Sequence, residues 1–320
     1  MSTVDAQIEV PAMPASAPGV EVTGARDTRV GDMAVRRLLP LRLRRSVGAW
    51  CFVDHYGPMS VDGVTGMLVP PHPHIGLQTV TWLMSGNVLH RDSLGSEQVI
   101  KPGQLNLMTA GRGIAHAEES RAENDPALHG VQLWVALPEA SRHTAPAFEH
   151  HADLPVTGIG RFDVTVLIGS LAGAQSPAAT FSEILGAELA AQPQHDSSGR
   201  IPLATAHEYV IFVATGSAGV ATGSSGGQGT VLRPGQLLYL APGRDEIGVS
   251  ATAGTRLFLL GGVPLAERLL MWWNFVARTP EEIAAATEDW REGKFGMVAD
   301  YDGDRLPAPP LDIAKLISRP

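Results

Sequence analysis

From Met33 to Gly261 apolar residues recur in short runs, many of them alternating with polar ones, and Gly, Pro, Asn or Asp interrupts them every few positions. A period of two over a handful of residues is the signature of a half-buried strand, and this punctuation is that of tight turns. The pattern predicts strands over 33–39, 77–84, 105–108 and 130–137, with 88–92 and 97–100 forming a hairpin about Leu94-Gly95-Ser96. A second set follows over 161–168, 207–213, 230–232, 236–240 and 255–261. The turns Leu232-Arg233-Pro234-Gly235 and Ala241-Pro242-Gly243 echo Lys101-Pro102-Gly103 of the first set. Strand, Pro-Gly turn, strand, Gly turn, strand thus occurs twice, which implies two copies of one architecture. The stretch 138–155, with Pro138, Pro146 and Pro155, reads as the linker between them, and its doublet His150-His151 as an exposed loop.

The ends break the pattern. Residues 1–24 have no usable period, and their Pro, Ala, Ser and Val content reads as a disordered tail, with strand character starting near Asp27. The apolar stretch 265–276, with Trp272, Trp273 and Phe275, is expected to pack against a barrel. Thr279-Pro280-Glu281-Glu282 is a capping box with Pro at the first helical position; Ile283, Ala286 and Trp290 share one helical face, and Gly293 stands where a stop belongs. The expected fold is all-β: a tail over 1–27, one barrel over 28–145, and a second over 146–320 that carries a C-terminal α-helix.

Composition agrees and narrows the function. At 320 residues the chain has room for two ordinary domains, and its 35 Gly and 24 Pro suit a turn-rich β protein. A net charge of −9 argues against a nucleic-acid-binding surface, which needs a basic footprint. The local cluster Arg36, Arg37, Arg42, Arg44 and Arg45 reads as a solvated strand face offset by acids, or as a surface for a partner. Cys51 is the one cysteine, so no internal disulfide forms, and its apolar neighbours mark it as buried filler. Neither a signal-peptide pattern nor a run of about 20 apolar residues is present, so a cytoplasmic protein without membrane association is expected.

The candidate chemistry lies between Pro70 and Glu118. Pro71-His72-Pro73-His74 and His116-Ala117-Glu118 each place two ligand-type groups at i and i+2, hence on one face of a strand. On opposite walls of one barrel, the four groups would converge inside it. Three neutral imidazoles and a carboxylate suit a divalent first-row metal and leave coordination positions open. Continued alternation would put Gln78, Val80 and Trp82 on the face of His74. His55, at an expected turn, is either a partner of the ligands or a structural histidine. His90 and His129 read as ordinary polar or core residues. The second set lacks both pairs: His207 and Glu208 are adjacent and face opposite ways, and Tyr239-Leu240-Ala241-Pro242 stands where a second pair would be needed. A metal-free second barrel is therefore expected.

Pro71-His72-Pro73-His74-Ile75-Gly76, the stretch from Met108 through Gly111-Arg112-Gly113 to His116-Ala117-Glu118, and Gln132-Leu133-Trp134 together resemble the pirin family of the cupin superfamily, over about residues 28–296. The resemblance implies two tandem cupin (jelly-roll) barrels, the first holding one iron, Fe(2+), or a similar first-row dication, through His72, His74, His116 and Glu118. It also implies one of two roles. The first is a dioxygenase acting on quercetin or another flavonol, with Glu118 accepting a substrate hydroxyl proton. The second is a non-enzymatic iron-dependent regulator whose oxidation state a protein partner reads. Cupins usually carry a ligating Glu about four residues after the second His; here that place holds Gln78, so Glu118 must supply the charge.

Overall fold

The structure, a computed structural model, describes residues 8–9, 19–31, 33–60, 67–120, 127–222 and 229–317. Each half is a barrel made of a seven-stranded and a four-stranded sheet. The large sheet of the first barrel runs, in spatial order, Ala147–His151, Leu105–Thr109, Leu77–Ser85, Ala127–Ala136, Trp50–Ser60, Met33–Leu39 and Arg26–Val30. Its small sheet is Leu68–His74, Ile114–Ser120, Val88–Asp92 and Glu97–Ile100. The second barrel repeats the plan: Val156–Ile159, Phe162–Ile168, Ile184–Ala191, Arg256–Gly262, Glu208–Thr215, Gln236–Leu240 and Val20–Gly24 face Ser197–Pro202, Glu246–Ala251, Ala218–Ala221 and Thr230–Leu232. This is the repeated all-β architecture that the strand pattern predicts, and the pair of barrels that the resemblance implies.

The two large sheets pack back to back. Val80, Trp82, Leu107, Val131 and Leu133 of the first interlock with Val210, Phe212, Phe258 and Leu260 of the second in one buried cluster. The central strands are therefore buried on both faces, one inside their barrel and one against the other barrel, which is why Leu77–Met84 is buried at every position, Gln78, Thr79 and Thr81 included. Two buried carboxylates sit between the barrels: Glu188 accepts from Trp82 Nε1 at 2.9 Å and from Arg256 at 2.5 and 2.7 Å, and Glu208 from the Gly48 amide at 2.6 Å and the Tyr239 hydroxyl at 2.8 Å. The barrel interiors differ. The second is filled by aliphatic side chains such as Val164, Leu189, Ile211, Leu238 and Leu259. The first keeps a polar row across its large sheet, where Arg37, Asp54, Gln132 and Thr81 are successive cross-strand partners.

Four sequence expectations need correction. Val20–Gly24, assigned to a disordered tail, is a strand paired with Gln236–Leu240, so the N-terminus completes the second barrel; residues 1–7 and 10–18 lie outside the described residues. Ala147–His151, assigned to a linker and to the second domain, pairs with Leu105–Thr109 of the first barrel, and His150 Nδ1 bonds Asn106 Oδ1 at 2.7 Å. The strand of His55 does not turn at Gly57 but runs on to Ser60, with Gly57 at φ +81. The arginines of 36–45 do not form one solvated face. Arg37 is fully buried and donates to both carboxylate oxygens of Asp54 at 2.8 and 2.7 Å, while Arg44 lies over the Tyr239 ring of the second barrel.

The chain after the barrels follows its pattern. Helix α1, Pro280–Arg291, is capped by Thr279, whose side chain accepts from the Glu282 amide, and it buries Ile283, Ala286 and Trp290; Gly293 follows at φ +77. Helix α2, Ile313–Ile317, is a short addition. Among the described residues no helix is long and apolar enough to cross a membrane.

Candidate metal centre

Leu68–His74 and Ile114–Ser120 are not opposite walls but antiparallel neighbours in the small sheet, with His72 and His116 as direct cross-strand partners. The ladder slips between His116 and Glu118, a bulge of the kind that re-aims side chains next to sites. His72, His74, His116 and Glu118 are all buried. The three rings lie 4.4 to 5.0 Å apart between centroids.

The hydrogen bonds fix the tautomers. Nδ1 of His72 is 2.9 Å from the Pro70 carbonyl and Nδ1 of His74 is 2.9 Å from the Asn274 carbonyl. A carbonyl only accepts, so both Nδ1 atoms carry the proton and both Nε2 atoms present lone pairs. His116 is set through a relay. Asp92 Oδ2 accepts from His90 Nε2 at 3.1 Å, which leaves His90 Nδ1 as an acceptor, and that atom faces His116 Nδ1 at 3.4 Å. Asp92 is held in turn by the amides of Leu94 and Ser96. Burial works to raise its pKa, but its bonds from His90 and Ser96 prevail and keep the carboxyl below its usual range. Burial also lowers His72 to about 4 and drives His74 and His116 well below the ordinary histidine value. The three rings are neutral near pH 7, which is the ligating form.

His74 Nε2 and His116 Nε2 are 3.1 Å apart, close enough to share one proton or one cation. Two nitrogens each about 2.1 Å from one ion, at right angles, stand about 3.0 Å apart. Burial pushes the Glu118 carboxyl above its usual range, against the opposing effects of His90 and a hydrogen bond from Thr81 Oγ1 at 3.2 Å. A desolvated carboxylate beside three unprotonated nitrogens is the electrostatic complement of a cation. The donor set thus fits a divalent metal.

The grouping differs in detail from a single tetrad. Donor atoms of His72, His74 and His116 lie within 4.8 Å of one another, and so do those of His90, His116 and Glu118; His116 joins the two groups. Sequence reasoning passed over His90. The signal was its spacing from Asp92 at i+2 in a hairpin strand, the same spacing that singled out the other pairs.

Gln78 is elsewhere. Gly76, at φ +70, ends one strand and sends the next into the opposite sheet, so alternation does not carry across it. Thr81 is on the inner face, donating to Glu118 Oε1 at 3.2 Å, while Gln78 points into the layer between the barrels, donating to Thr109 Oγ1 at 3.0 Å and Ala179 O at 3.2 Å. A Cβ on Gly76 would come within 2.0 Å of the Val276 carbonyl, so glycine also admits the aromatic arm whose Asn274 carbonyl holds His74. His55 is likewise on the outer face, its Nε2 2.8 Å from His129 Nε2. The cavity beside the donors has a volume of about 60 Å³, and its walls include the stacked pair Phe52 and Trp134, with Trp273 and Leu306.

Residues 32–135 match the Pirin family and residues 189–296 the Pirin C-terminal cupin domain. The chain belongs to the pirin family. It is 47% identical over 88% of its length to a Pseudomonas aeruginosa protein named "Putative quercetin 2,3-dioxygenase PA1205", covering 87% of that protein. A pirin-like protein of Caulobacter vibrioides is 34% identical over 90% of this chain and 98% of its own length. Among solved structures, a quercetin 2,3-dioxygenase from Acinetobacter baumannii superposes with a TM-score of 0.86 at 40% identity, over 92% of this chain and 96% of that one. The segments bearing His72, His74, His116 and Glu118 lie in the first of the two matched domains.

Proposed function

We propose that this pirin is a mononuclear metal dioxygenase that takes a flavonol-like aromatic substrate. In this reading one iron(II) is held by Nε2 of His72, His74 and His116 and by Glu118. The observation that carries it is the convergence of three buried imidazoles and the Glu118 carboxylate on one cavity, with His74 Nε2 and His116 Nε2 only 3.1 Å apart. The quercetin dioxygenase names of similar proteins support the substrate class. When bound, the ion supplies Lewis acidity and one-electron chemistry.

The chain supplies the rest. Phe52 stacks on Trp134 with centroids 4.1 Å apart and planes at 15°, giving a flat apolar wall for a planar ring. Trp273 and Leu306 complete the apolar lining of the cavity. Glu118 is the acid–base group. A carboxylate oxygen, steadied by the Thr81 hydroxyl at 3.2 Å, would take the substrate hydroxyl proton as the carboxylate loosens from the ion. With Glu118 as the one anionic ligand, the occupied site keeps a net positive charge that favours an anionic flavonolate.

Two measurements test this. Metal content is expected to collapse in a His72→Ala, His74→Ala double variant that still folds by circular dichroism; retained metal overturns the ligand assignment. Glu118→Gln, reloaded with iron, is expected to lose flavonol-dependent oxygen uptake by about 10²–10⁴-fold. A wild type that takes up no oxygen with any flavonol overturns the enzymatic reading. Partner binding that follows the oxidation state of the metal would then move the assignment to the regulatory role.

A further inference from the structure

The family match ends at residue 296, yet the chain continues and returns to the metal centre. After Gly296 it crosses the mouth of the first barrel, and Leu306 joins the lining of the cavity that His72, His74, His116 and Glu118 share. Two backbone hydrogen bonds seat this residue. Its amide donates to the Pro71 carbonyl at 2.9 Å, one position before His72, and its carbonyl accepts from Trp290 Nε1 at 2.9 Å. Arg305 fastens the same point to α1, with its guanidinium 4.5 Å from the Trp290 ring centre and bonds to the Trp290 and Arg291 carbonyls. Beyond it Pro307, Pro309 and Pro310 have no amide to offer. The far end is pinned where Leu316 of α2 is buried in the cluster that holds Trp290 and Trp273. Trp273, the other half of the rim, stands at φ +54 and rests on Trp290. Both sides of the mouth therefore lean on one tryptophan.

The size of the cavity gives this strap its meaning. A volume of about 60 Å³ holds a few waters, whereas pockets for drug-sized ligands run to about 300–1,000 Å³. A single phenolic ring needs little rearrangement to reach the donors, but a three-ring flavonol does not fit while Leu306 is seated. We propose that Leu306 is the specificity-determining residue of the site, closing the metal cavity to polycyclic ligands unless the strap lifts off Pro71 and Trp290. This rests on the reading of the cavity as a ligand site for aromatic hydroxyl compounds, and it makes the apparent affinity for large ligands depend on the fraction of molecules with the strap open.

The test uses the full-length, metal-loaded protein with Leu306→Ala, which opens the mouth, and Leu306→Trp, which fills it. Both changes fall on a half-buried side chain, and thermal melts verify folding. Equilibrium binding of catechol and of quercetin is followed by quenching of tryptophan fluorescence. In parallel, metal is extracted with 2,2′-bipyridine and with the bulkier bathophenanthroline disulfonate. Leu306→Ala is expected to raise quercetin affinity relative to catechol by about 10-fold or more, as the open fraction rises from a minor to a major population, and Leu306→Trp to lower it. The extraction rate with the bulky chelator relative to the small one moves the same way. Ratios unchanged in both variants overturn the proposal. If no variant binds quercetin but the chelator ratio shifts, the gate stands and the flavonol assignment falls.

Discussion

His90 tests the site in a way that separates holding a ligand from being one. Its ring stacks on Phe148 with centroids 4.4 Å apart and planes at 14°, so His90→Phe keeps the volume and the stacking but removes the acceptor that faces His116 Nδ1. Without metal, His116 can answer by moving its proton from Nδ1 to Nε2. Binding a cation at Nε2 then forces the proton back to an Nδ1 that has no acceptor. A buried donor left unpaired costs about 1–3 kcal/mol. An independent expectation, that losing the partner of a ligating histidine lowers metal affinity about 10–100-fold, corresponds to about 1.4–2.7 kcal/mol. The two routes agree. The assay is competition for metal against a chromophoric chelator, with thermal unfolding of the metal-free proteins run alongside. An affinity unchanged from wild type refutes the relay. A complete loss of metal shows that His90 is itself a ligand, which its distance from His116 and Glu118 allows.

Two further outcomes follow from the outer face of the large sheet of the same barrel. Gln78→Ala is expected to leave metal content intact and to cost stability by about 1–3 kcal/mol through the lost buried bonds to Thr109 and Ala179; loss of metal would show that this face communicates with the site. Burial lowers His55 to about 3 and His129 to about 4. Unfolding returns both to about 6.5, so below that value the unfolded state binds more protons. Their contribution to stability is thus complete above pH 6.5 and is lost as the pH falls through about 4 toward 3. Urea unfolding of the metal-free protein between pH 7 and 4 should show this slope, reduced in a His55→Gln, His129→Gln double variant, and an equal slope in that variant would place the titration elsewhere.

How far the fold could be read depended on whether a local signal carried the contact. Period two and Pro-Gly turns locate Leu77–Ser85, the Val88 hairpin and Gln236–Leu240, because each is a property of adjacent residues. The i, i+2 spacing likewise found His72, His74, His116 and Glu118, which the structure places around one cavity. Three things were beyond such signals. Alternation could not be carried past Gly76, whose left-handed backbone resets which face is inside, and Gln78 was misplaced for that reason. Ile184–Ala191 is a central strand rich in Ala with a Glu, residues of low strand propensity, and its stability comes from two neighbouring strands and Trp82 across the interface. Val20–Gly24 alternates over only five residues, with its valines on the exposed side, and its partner lies in the other half of the chain.

That last pairing has a consequence for how the molecule is made. Val20–Gly24 closes the second barrel while Arg26–Val30, one residue later, edges the first. On the ribosome the strand Gln236–Leu240 follows about 210 residues behind, a delay of about 10–40 s at ordinary synthesis rates. Among the strands of the large sheets, the first to leave the exit tunnel is thus among the last to find its neighbour. Until then Gln236–Leu240 keeps a free edge, with Leu237, Leu238 and Leu240 on it. A fragment starting at residue 146 would never lose that edge. The two halves look like beads on a string in the sequence, but they cannot be cut apart at the linker and stay whole.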